Sequence, residues 1–309
     1  MKKLILKRLL ESIPVLCCLV TLTFFIIRWV PGGPFDAENN LPADVVAQLN
    51  AYYGYDQPLL KQYLHYLAHL LKGDFGPSMR YPGYSVNQLL GECIPVSFEL
   101  GFWAMLLASC VGGSVGIIAA IKVNTWIDRT LMGICLLGLC LPTFVIGPFI
   151  IFIFSLKLGW FQAIGWDYPS DRILPTITLA CMYSGYIARL MRTCCLEILS
   201  SPFIKTAYAK GLTKMRILIF HMLKNALSPV LTYLGPTAAA IMSGSLVIES
   251  LFQIPGAGSL FITAVGQRDS ALLIGTVLYF SLLIIIFNLL VDVSILLLDP
   301  RQKSDSFTS

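Results

Sequence analysis

Four stretches of this chain run for more than twenty residues without a charged side chain, and they limit its fold more than any other feature. They cover residues 100–121, 130–156, 226–248 and 271–291. A helix rises about 1.5 Å per residue, so about 20 apolar residues cross a hydrocarbon core that is ~30 Å thick. Inside lipid, only a helix or a closed barrel satisfies the backbone polar groups. These stretches therefore predict transmembrane helices.

Two weaker apolar stretches complete the predicted set. Residues 13–27 form a short run between charged neighbours, and residues 173–188 can be lengthened if Arg189 and Arg192 extend to the membrane interface. The composition agrees, because 56% of the residues are hydrophobic and only 13% are charged, whereas soluble domains carry about 25% charged residues. We therefore predict an all-α polytopic membrane protein with six transmembrane helices.

The distribution of positive charge predicts the orientation of these helices. If the N-terminus is cytoplasmic, roughly two thirds of the 22 Lys and Arg residues fall on the cytoplasmic side, as the positive-inside rule requires. Both termini are then cytoplasmic. This bias also accounts for the net charge of +5, so no nucleic-acid partner is needed to explain it. The first apolar run lacks a small-residue cleavage site and is expected to be an uncleaved span.

This topology divides the chain into four predicted segments. They are a cytoplasmic N-terminus with the first transmembrane helix (1–30), an extracytoplasmic segment (31–95), a core of five transmembrane helices (96–299) and a cytoplasmic tail (300–309). In the second segment, apolar residues at helical spacing predict an amphipathic helix that lies on the membrane or caps the bundle; they are Leu59, Leu60, Tyr63, Leu64, Leu67, Leu70 and Leu71. His65 and His69 are four residues apart, but no third ligand accompanies them, so no metal site is predicted.

A polar, basic loop at residues 194–228 separates two of the predicted spans. It contains the sequence TAYAKG at 206–211, followed by further basic residues. Loops longer than about 12–15 residues are usually functional when they occur in compact domains. The 194–228 loop is therefore the first candidate for a functional site.

An ordered set of short motifs covers nearly the whole chain. The motifs are RLLESIP at 8–14, KGDFGPS at 72–78, VIESLFQIPGAGSL at 247–260, QRDS at 267–270 and LDPR at 298–301. Together with the 194–228 loop, which resembles the EAA loop of ABC-importer permeases, they resemble the oligopeptide/dipeptide permease family. The similarity is greatest to its B-type membrane subunit. One departure is that Lys205, Thr206 and Ala207 occupy the places of the family's Glu-Ala-Ala.

The resemblance implies the architecture and the partners of the chain. It implies a type-1 ABC importer permease in the bacterial inner membrane, paired with a second homologous permease. It also implies two cytoplasmic P-loop ATPase subunits, which bind ATP and Mg, and an extracytoplasmic protein that delivers oligopeptides or dipeptides. The chain has no P-loop sequence of its own. It is therefore expected to be a non-enzymatic subunit without a cofactor, working by alternating access in contact with membrane lipid.

The resemblance also assigns the 194–228 loop to docking on the ATPase. Small residues let another protein approach closely, and Gly211 permits a tight turn. The apolar side chains of Leu212, Met215, Ile217 and Leu218 are expected to enter a groove on the partner, and the basic residues to meet acidic groups there. The expected coupling residues are Thr206, Ala207, Ala209, Lys210, Gly211, Leu212, Lys214 and Arg216.

A second set of residues is a candidate wall of the substrate pathway. Tyr183, Ser184 and Tyr186 offer hydrogen bonds within the fourth span. Asn288 belongs to a polar stripe with Ser281, Asp292 and Asp299, whose spacings place all four on one helix face. The alternative is that this stripe is a polar seam against a neighbouring helix. Two further expectations are close helix packing at Gly112 and Gly116 and at Ala240 and Gly244, and a bend or local break of the third span at Pro142, Gly147 and Pro148.

Other functions remain open at this stage. A permease for nickel or glutathione would have a similar membrane subunit. A gradient-driven secondary carrier would show inverted repeats and an ion site at mid-membrane, and neither is evident in the sequence. An assembly factor would transport no solute.

Overall fold

The computed structural model describes residues 2–29, 48, 52–54 and 57–298. Among these residues the regular secondary structure is helical, apart from an isolated β-bridge between Pro77 and Ser85. The helices are α1 (Lys2–Trp29), α2 (Leu59–Leu71), α3 (Val86–Ile121), α4 (Trp126–Cys140), α5 (Thr143–Ile150), α6 (Ile173–Ser200), α7 (Pro202–Ala209), α8 (Lys214–Arg216), α9 (Lys224–Met242), α10 (Leu246–Leu251), α11 (Ala257–Gly266) and α12 (Ser270–Leu298). Two π-helical turns, Ile151–Lys157 and Ile217–Leu223, follow α5 and α8.

Four helical segments in the described residues are long and apolar enough to cross a membrane. They are Val86–Ile121, Pro169–Ser200, Lys214–Leu251 and Ser270–Leu290. A fifth span results if Trp126–Cys140 and Thr143–Lys157 are counted together. The apolar part of α1, Leu10–Ile26, is shorter than these. The membrane-spanning helical class is therefore confirmed with four or five spans, and the sixth stays a prediction.

The predicted break in the third span is confirmed. The two halves of this span meet at an angle of 107°, and α4 ends just before Leu141, whose backbone is extended. A residue that precedes proline is pushed out of the helical region by the proline ring, and Leu141 precedes Pro142. Pro148 lies inside α5 without ending it. The first proline therefore determines where the span turns.

The centre of the bundle is the contact between α3 and α6, where glycines allow the two backbones to approach. A Cβ atom at Gly112 would lie 2.6 Å from the carbonyl oxygen of Ser184, and one at Gly116 would lie 2.5 Å from that of Ala188. Neither distance is compatible with a side chain. The predicted close packing at Gly112 and Gly116 is therefore confirmed, and it fixes the distance between α3 and α6.

We expect Gly112→Val to destabilise the protein by about 1–3 kcal/mol, because an inserted side chain forces packed helices apart. The adjacent Gly113→Val is the matched control, since a Cβ at Gly113 meets no atom within 4 Å. Thermal unfolding of both purified variants in the same detergent measures the difference. Equal midpoints for the two variants would contradict this account of the α3–α6 contact.

Asp269 connects two motifs that are far apart in the sequence. Its carboxylate is fully buried and accepts hydrogen bonds from Ser78 Oγ (2.5 Å) and from the backbone N–H groups of Met79 (3.0 Å) and Arg80 (3.2 Å). It also accepts the Leu272 N–H (3.0 Å) in the first turn of α12. The turn after α2 is thereby fastened to the start of α12.

The predicted amphipathic helix is present as α2, and Tyr63, Leu67 and Leu70 of its expected apolar face pack against a core cluster formed with α1 and α12. Tyr66 packs with Phe24 of α1 and with Ile274 of α12, whereas Leu60 and Leu64 are exposed. The buried face of α2 therefore combines part of the expected apolar face with Tyr66, which was not predicted.

The turn after α2 is held by Asp74. The carboxylate accepts hydrogen bonds from the Tyr52 hydroxyl (2.5 Å) and the Gly76 N–H (3.0 Å), and it lies 3.1 Å from Nδ1 of His69. The Tyr52 hydrogen bond lowers the pKa of Asp74, with smaller contributions from His69 and Gly76. The His65 and His69 rings pack at 4.6 Å. Among the described residues, no three His, Cys, Asp or Glu side chains are grouped to hold a metal ion.

Candidate functional site

Residues 194–200 of the predicted 194–228 loop continue α6, and residues 217–228 form a π-helical turn and the start of α9. The part between them folds into a short helix closed by a glycine turn. Proline at the first position of α7 suits a helix start, because its missing N–H would have no intrahelical partner there. At the other end, Gly211 has a φ of +75°. Its N–H donates to the Tyr208 carbonyl (2.9 Å), and the Leu212 N–H donates to the Ala207 carbonyl (3.3 Å). These two bonds form a Schellman motif, which explains why a glycine occupies this position.

A small apolar core holds the loop together. Ile204, Ala207 and Ile217 are buried in one cluster, against which Leu212 packs. Ile217 is fully buried and Leu218 is only 8% exposed, so the expectation that they present an apolar face to a partner was wrong. Ala207 likewise faces the interior of the loop. The core stabilises α7 from within, and a partner has to bind the opposite surface.

The outer surface of the loop combines cationic, small and aromatic side chains. Met215 is 65% exposed, and the exposed residues Phe203 and Tyr208 flank the buried face of α7. Phe203 and Tyr208 were not predicted from the sequence. Once Ile204 and Ala207 are known to face inward, helical spacing places Phe203 and Tyr208 on the exposed sides of α7. The predicted coupling residues that lie on this surface are Thr206, Ala209, Lys210, Gly211, Lys214 and Arg216.

The candidate pathway residues do not form one site. Tyr186 stacks on Tyr233 of α9, with ring centroids 4.2 Å apart. Ser184 donates to the Cys181 carbonyl of its own helix (2.9 Å), and Tyr183 is partly buried between two apolar clusters. Asn288 is an exposed residue of α12, which packs mainly against α9, α1, α11 and α3.

The polar stripe on α12 is described only in part. Ser281 donates to the Val277 carbonyl of the preceding turn (2.9 Å). The side chain of Asp292 and the whole of Asp299 lie outside the described residues. The assignment of Tyr183, Ser184, Tyr186 and Asn288 to a substrate pathway therefore stays a prediction.

Glu249 is a central polar residue that the sequence reasoning did not single out. It is fully buried. Ser97 Oγ donates to Oε1 (2.8 Å), and the N–H groups of Gly258 (2.8 Å) and Ser259 (3.0 Å) donate to Oε2. The carboxylate thus joins α3, α10 and the first turn of α11. The 247–260 motif contained an indication of this buried carboxylate, because its glutamate precedes two glycines.

The glycines around Glu249 leave room for its carboxylate. A Cβ on Gly256 would overlap Oε2, and one on Gly258 would lie 2.9 Å from the same atom. A Cβ on Gly244 would lie 2.9 Å from Oε1. Any side chain at these positions displaces the carboxylate or the backbone. The glutamate and the three glycines therefore act as one structural unit.

An ion pair between α6 and α4 lies near the 194–228 loop. Nε and one terminal nitrogen of Arg192 donate to the two oxygens of Asp128, at 2.7 and 2.8 Å. The Asn124 N–H also donates to Asp128 (2.9 Å). Two parallel bonds of this kind are strong and geometrically specific. They fix the start of α4 to α6 about two turns before α6 ends at Ser200.

These features are compatible with the predicted docking role of the 194–228 loop. A helix with its own apolar core keeps its shape when it binds, so binding loses little conformational entropy. Exposed aromatic, Met and Arg side chains are enriched at protein interfaces. The geometry therefore fits binding to a partner.

Comparison with known proteins places this geometry in a family. Residues 112–304 match the model for "Binding-protein-dependent transport system inner membrane component", and residues 1–91 match the model for its N-terminal part. The oligopeptide transport system permease protein OppB of Haemophilus influenzae is 44% identical, over 98% of this chain and 100% of the relative. The dipeptide transport system permease protein DppB of Bacillus subtilis is 40% identical, over 98% of each chain.

Solved structures support the same fold. An inward-facing form of the MetNI methionine ABC transporter is similar with a TM-score of 0.59 and 17% identity, over 69% of this chain and 97% of the other. At that identity the likeness concerns the fold alone. The family matches cover most of the sequence. The chain is a multi-pass protein that belongs to the family of inner membrane components of binding-protein-dependent transport systems.

Proposed function

We propose that this chain is the membrane-spanning permease subunit of an ATP-driven importer of oligopeptides or dipeptides. The observation that carries the proposal is the shape of the 194–228 loop, a self-supported helix with an exposed outer surface, in a chain that is 44% identical to an oligopeptide permease. We also propose six transmembrane helices with both termini in the cytoplasm. In this arrangement α1 is the first span and the loop faces the cytoplasm.

The proposed transporter divides its work among several subunits. Two cytoplasmic P-loop ATPases bind ATP and Mg, since this chain lacks the P-loop sequence and carries no ATPase site. A second homologous permease completes the translocation path, and an extracytoplasmic protein delivers the peptide. The large membrane-facing surface of the chain contacts lipid and the second permease. This chain supplies the path and the docking element.

The fold offers a direct mechanical connection from the ATPase to the membrane. Only Ser201 separates the end of α6 from the start of α7. The bidentate pair between Arg192 and Asp128 and the close α3–α6 contact join α6 to its neighbours. A displacement of α7 by the closing ATPases therefore moves several helices together. Alternating access then requires only that this group has two stable positions.

Purification of the tagged chain in mild detergent tests the assembly. We expect a second permease and P-loop ATPases to co-purify, and we expect the binding protein with peptide to stimulate ATP hydrolysis in proteoliposomes. Nickel and glutathione are the competing solutes, and an ion gradient without ATP tests the secondary carrier. Recovery of the chain alone, with solute uptake that survives ATPase deletion, would overturn the proposal. Uptake of nickel or glutathione without peptide uptake would overturn only its substrate.

A further inference from the structure

A cleft with a volume of about 400 Å³ lies between α4 and α6, beside the ion pair of Arg192 and Asp128. It belongs neither to the docking surface of the 194–228 loop nor to the candidate pathway residues. Its lining includes Arg129 at the first turn of α4 and Arg189 on α6. Both lie towards the end of the bundle that carries the loop, which is cytoplasmic in the proposed orientation. The cleft therefore has a cationic mouth on that side.

The charge of this mouth is not neutralised by the other side chains that line the cleft. Four charged side chains line the cleft, three arginines and one aspartate. Both oxygens of Asp128 are engaged by Arg192, at 2.7 and 2.8 Å. Arg189 lies over the Tyr186 ring, 5.8 Å from its centroid, which leaves its positive charge in place. Arg129 and Arg189 therefore form an excess of two positive charges around the opening.

The other side of the cleft is apolar and extends towards the membrane centre. Met132, Leu136 and Leu139 line it at successive turns of α4 beyond Arg129. Leu136 is 52% exposed, and the adjacent Leu137 is also exposed. Because α4 packs mainly against α6 and less against α3, it lies at the edge of this chain. The apolar side is thus continuous with a surface suited to hydrocarbon.

We propose that this cleft binds one anionic phospholipid, with the phosphate at Arg129 and Arg189 and an acyl chain along Met132, Leu136 and Leu139. Guanidinium groups match phosphate oxygens through paired hydrogen bonds. Basic clefts between transmembrane helices on the cytoplasmic side suit anionic headgroups, which are abundant in that leaflet. A cationic mouth joined to an apolar wall about two helical turns long complements a phospholipid better than a free phosphate, because a free phosphate has no apolar group to contact the wall.

The test compares lipid retained by the purified transporter, with its co-purifying subunits, in nanodiscs of phosphatidylcholine and phosphatidylglycerol. Native mass spectrometry counts the bound phosphatidylglycerol. Each cationic side chain near the surface contributes about 1 kcal/mol to binding an anionic lipid, so Arg129→Gln with Arg189→Gln is expected to weaken retention about thirtyfold. Lys122→Gln is the matched control, since this exposed cytoplasmic lysine is outside the cleft lining.

A second variant tests the apolar wall without a change in charge. Leu136→Trp is expected to displace the acyl chain and to lower phosphatidylglycerol retention while the subunits still co-purify. Equal retention in the control and in both cleft variants would overturn the proposal. Displacement of the bound lipid by transported peptide would also overturn it, because the cleft would then belong to the substrate pathway. Displacement by inorganic phosphate that binds with equal affinity would overturn it as well. Because subunit assembly is measured in the same spectra, failure of the lipid site is distinguishable from failure of the proposed function.

Discussion

Gly211→Asp is expected to abolish peptide uptake while the chain stays in the membrane at its normal level. Gly211 is the left-handed residue that ends α7, and a non-glycine residue in that conformation costs about 1–2 kcal/mol, with Asp among the better tolerated. A Cβ there meets no atom of this chain within 4 Å. The loop itself therefore survives. The introduced carboxylate faces the partner, where an unpaired buried charge costs about 3–5 kcal/mol.

That cost lowers docking by two orders of magnitude or more, so ATP hydrolysis no longer drives transport. Peptide uptake and recovery of the ATPase with the chain are the two measurements. Gly73→Asp is a closely matched control: Gly73 also has a φ of +75° with open space at its Cβ, but it lies in the turn after α2. We expect Gly73→Asp to retain ATPase recovery. Wild-type uptake in Gly211→Asp would remove the 194–228 loop from the mechanism.

Glu249→Ala is expected to cause a large loss of stability. It removes the acceptor for Ser97 Oγ and for the N–H groups of Gly258 and Ser259, all in a site closed to solvent. A buried donor without a partner costs about 1–3 kcal/mol, and three are created together. We expect little folded protein after detergent extraction, even when membrane insertion is unchanged.

The comparison that isolates this effect is Glu99→Ala. Glu99 forms an ion pair with Arg172 (2.6 Å), but its side chain is 37% exposed, and exposed pairs contribute only about 0–1 kcal/mol. Glu249→Gln is expected to fall between the two, because the amide keeps one acceptor oxygen. Fluorescence-detected size-exclusion chromatography after stepwise heating ranks the three variants. If Glu249→Ala and Glu99→Ala melted together, the buried carboxylate would not hold α10 and α11 in place.

The sequence predicted the helical spans well, because a long uncharged segment has few alternatives in lipid. It also predicted the break at Pro142, which has a local steric cause. It did not predict the end of α9 at Met242 inside the expected span 226–248. That break depends on Gly244, whose φ is +107° and whose neighbours are Glu249 and Gly258. Hydropathy carries no information about such contacts, because they involve residues of other helices.

The candidate docking site was predicted in position but not in orientation. The glycine turn and the basic residues were evident from the sequence. Which side of α7 faces inward was not, because Ile204, Ala207 and Ile217 become a core only when the loop folds back on itself. As a result, Ile217 and Leu218 were assigned to the partner surface, whereas Phe203 and Tyr208 were overlooked.

The sequence by itself determined that this protein spans a membrane, where most of its helices lie and which loop is the candidate for docking. These properties follow from the local energetics of apolar, charged and glycine residues along a helix. Only the tertiary structure decided that Asp269 fastens the turn after α2 to α12, that Glu249 joins α3 to α11, and that Arg129 and Arg189 share one cleft. Each of these contacts joins side chains from segments that are distant in the sequence. A local sequence pattern does not indicate which residue a buried carboxylate or an arginine contacts in the folded protein.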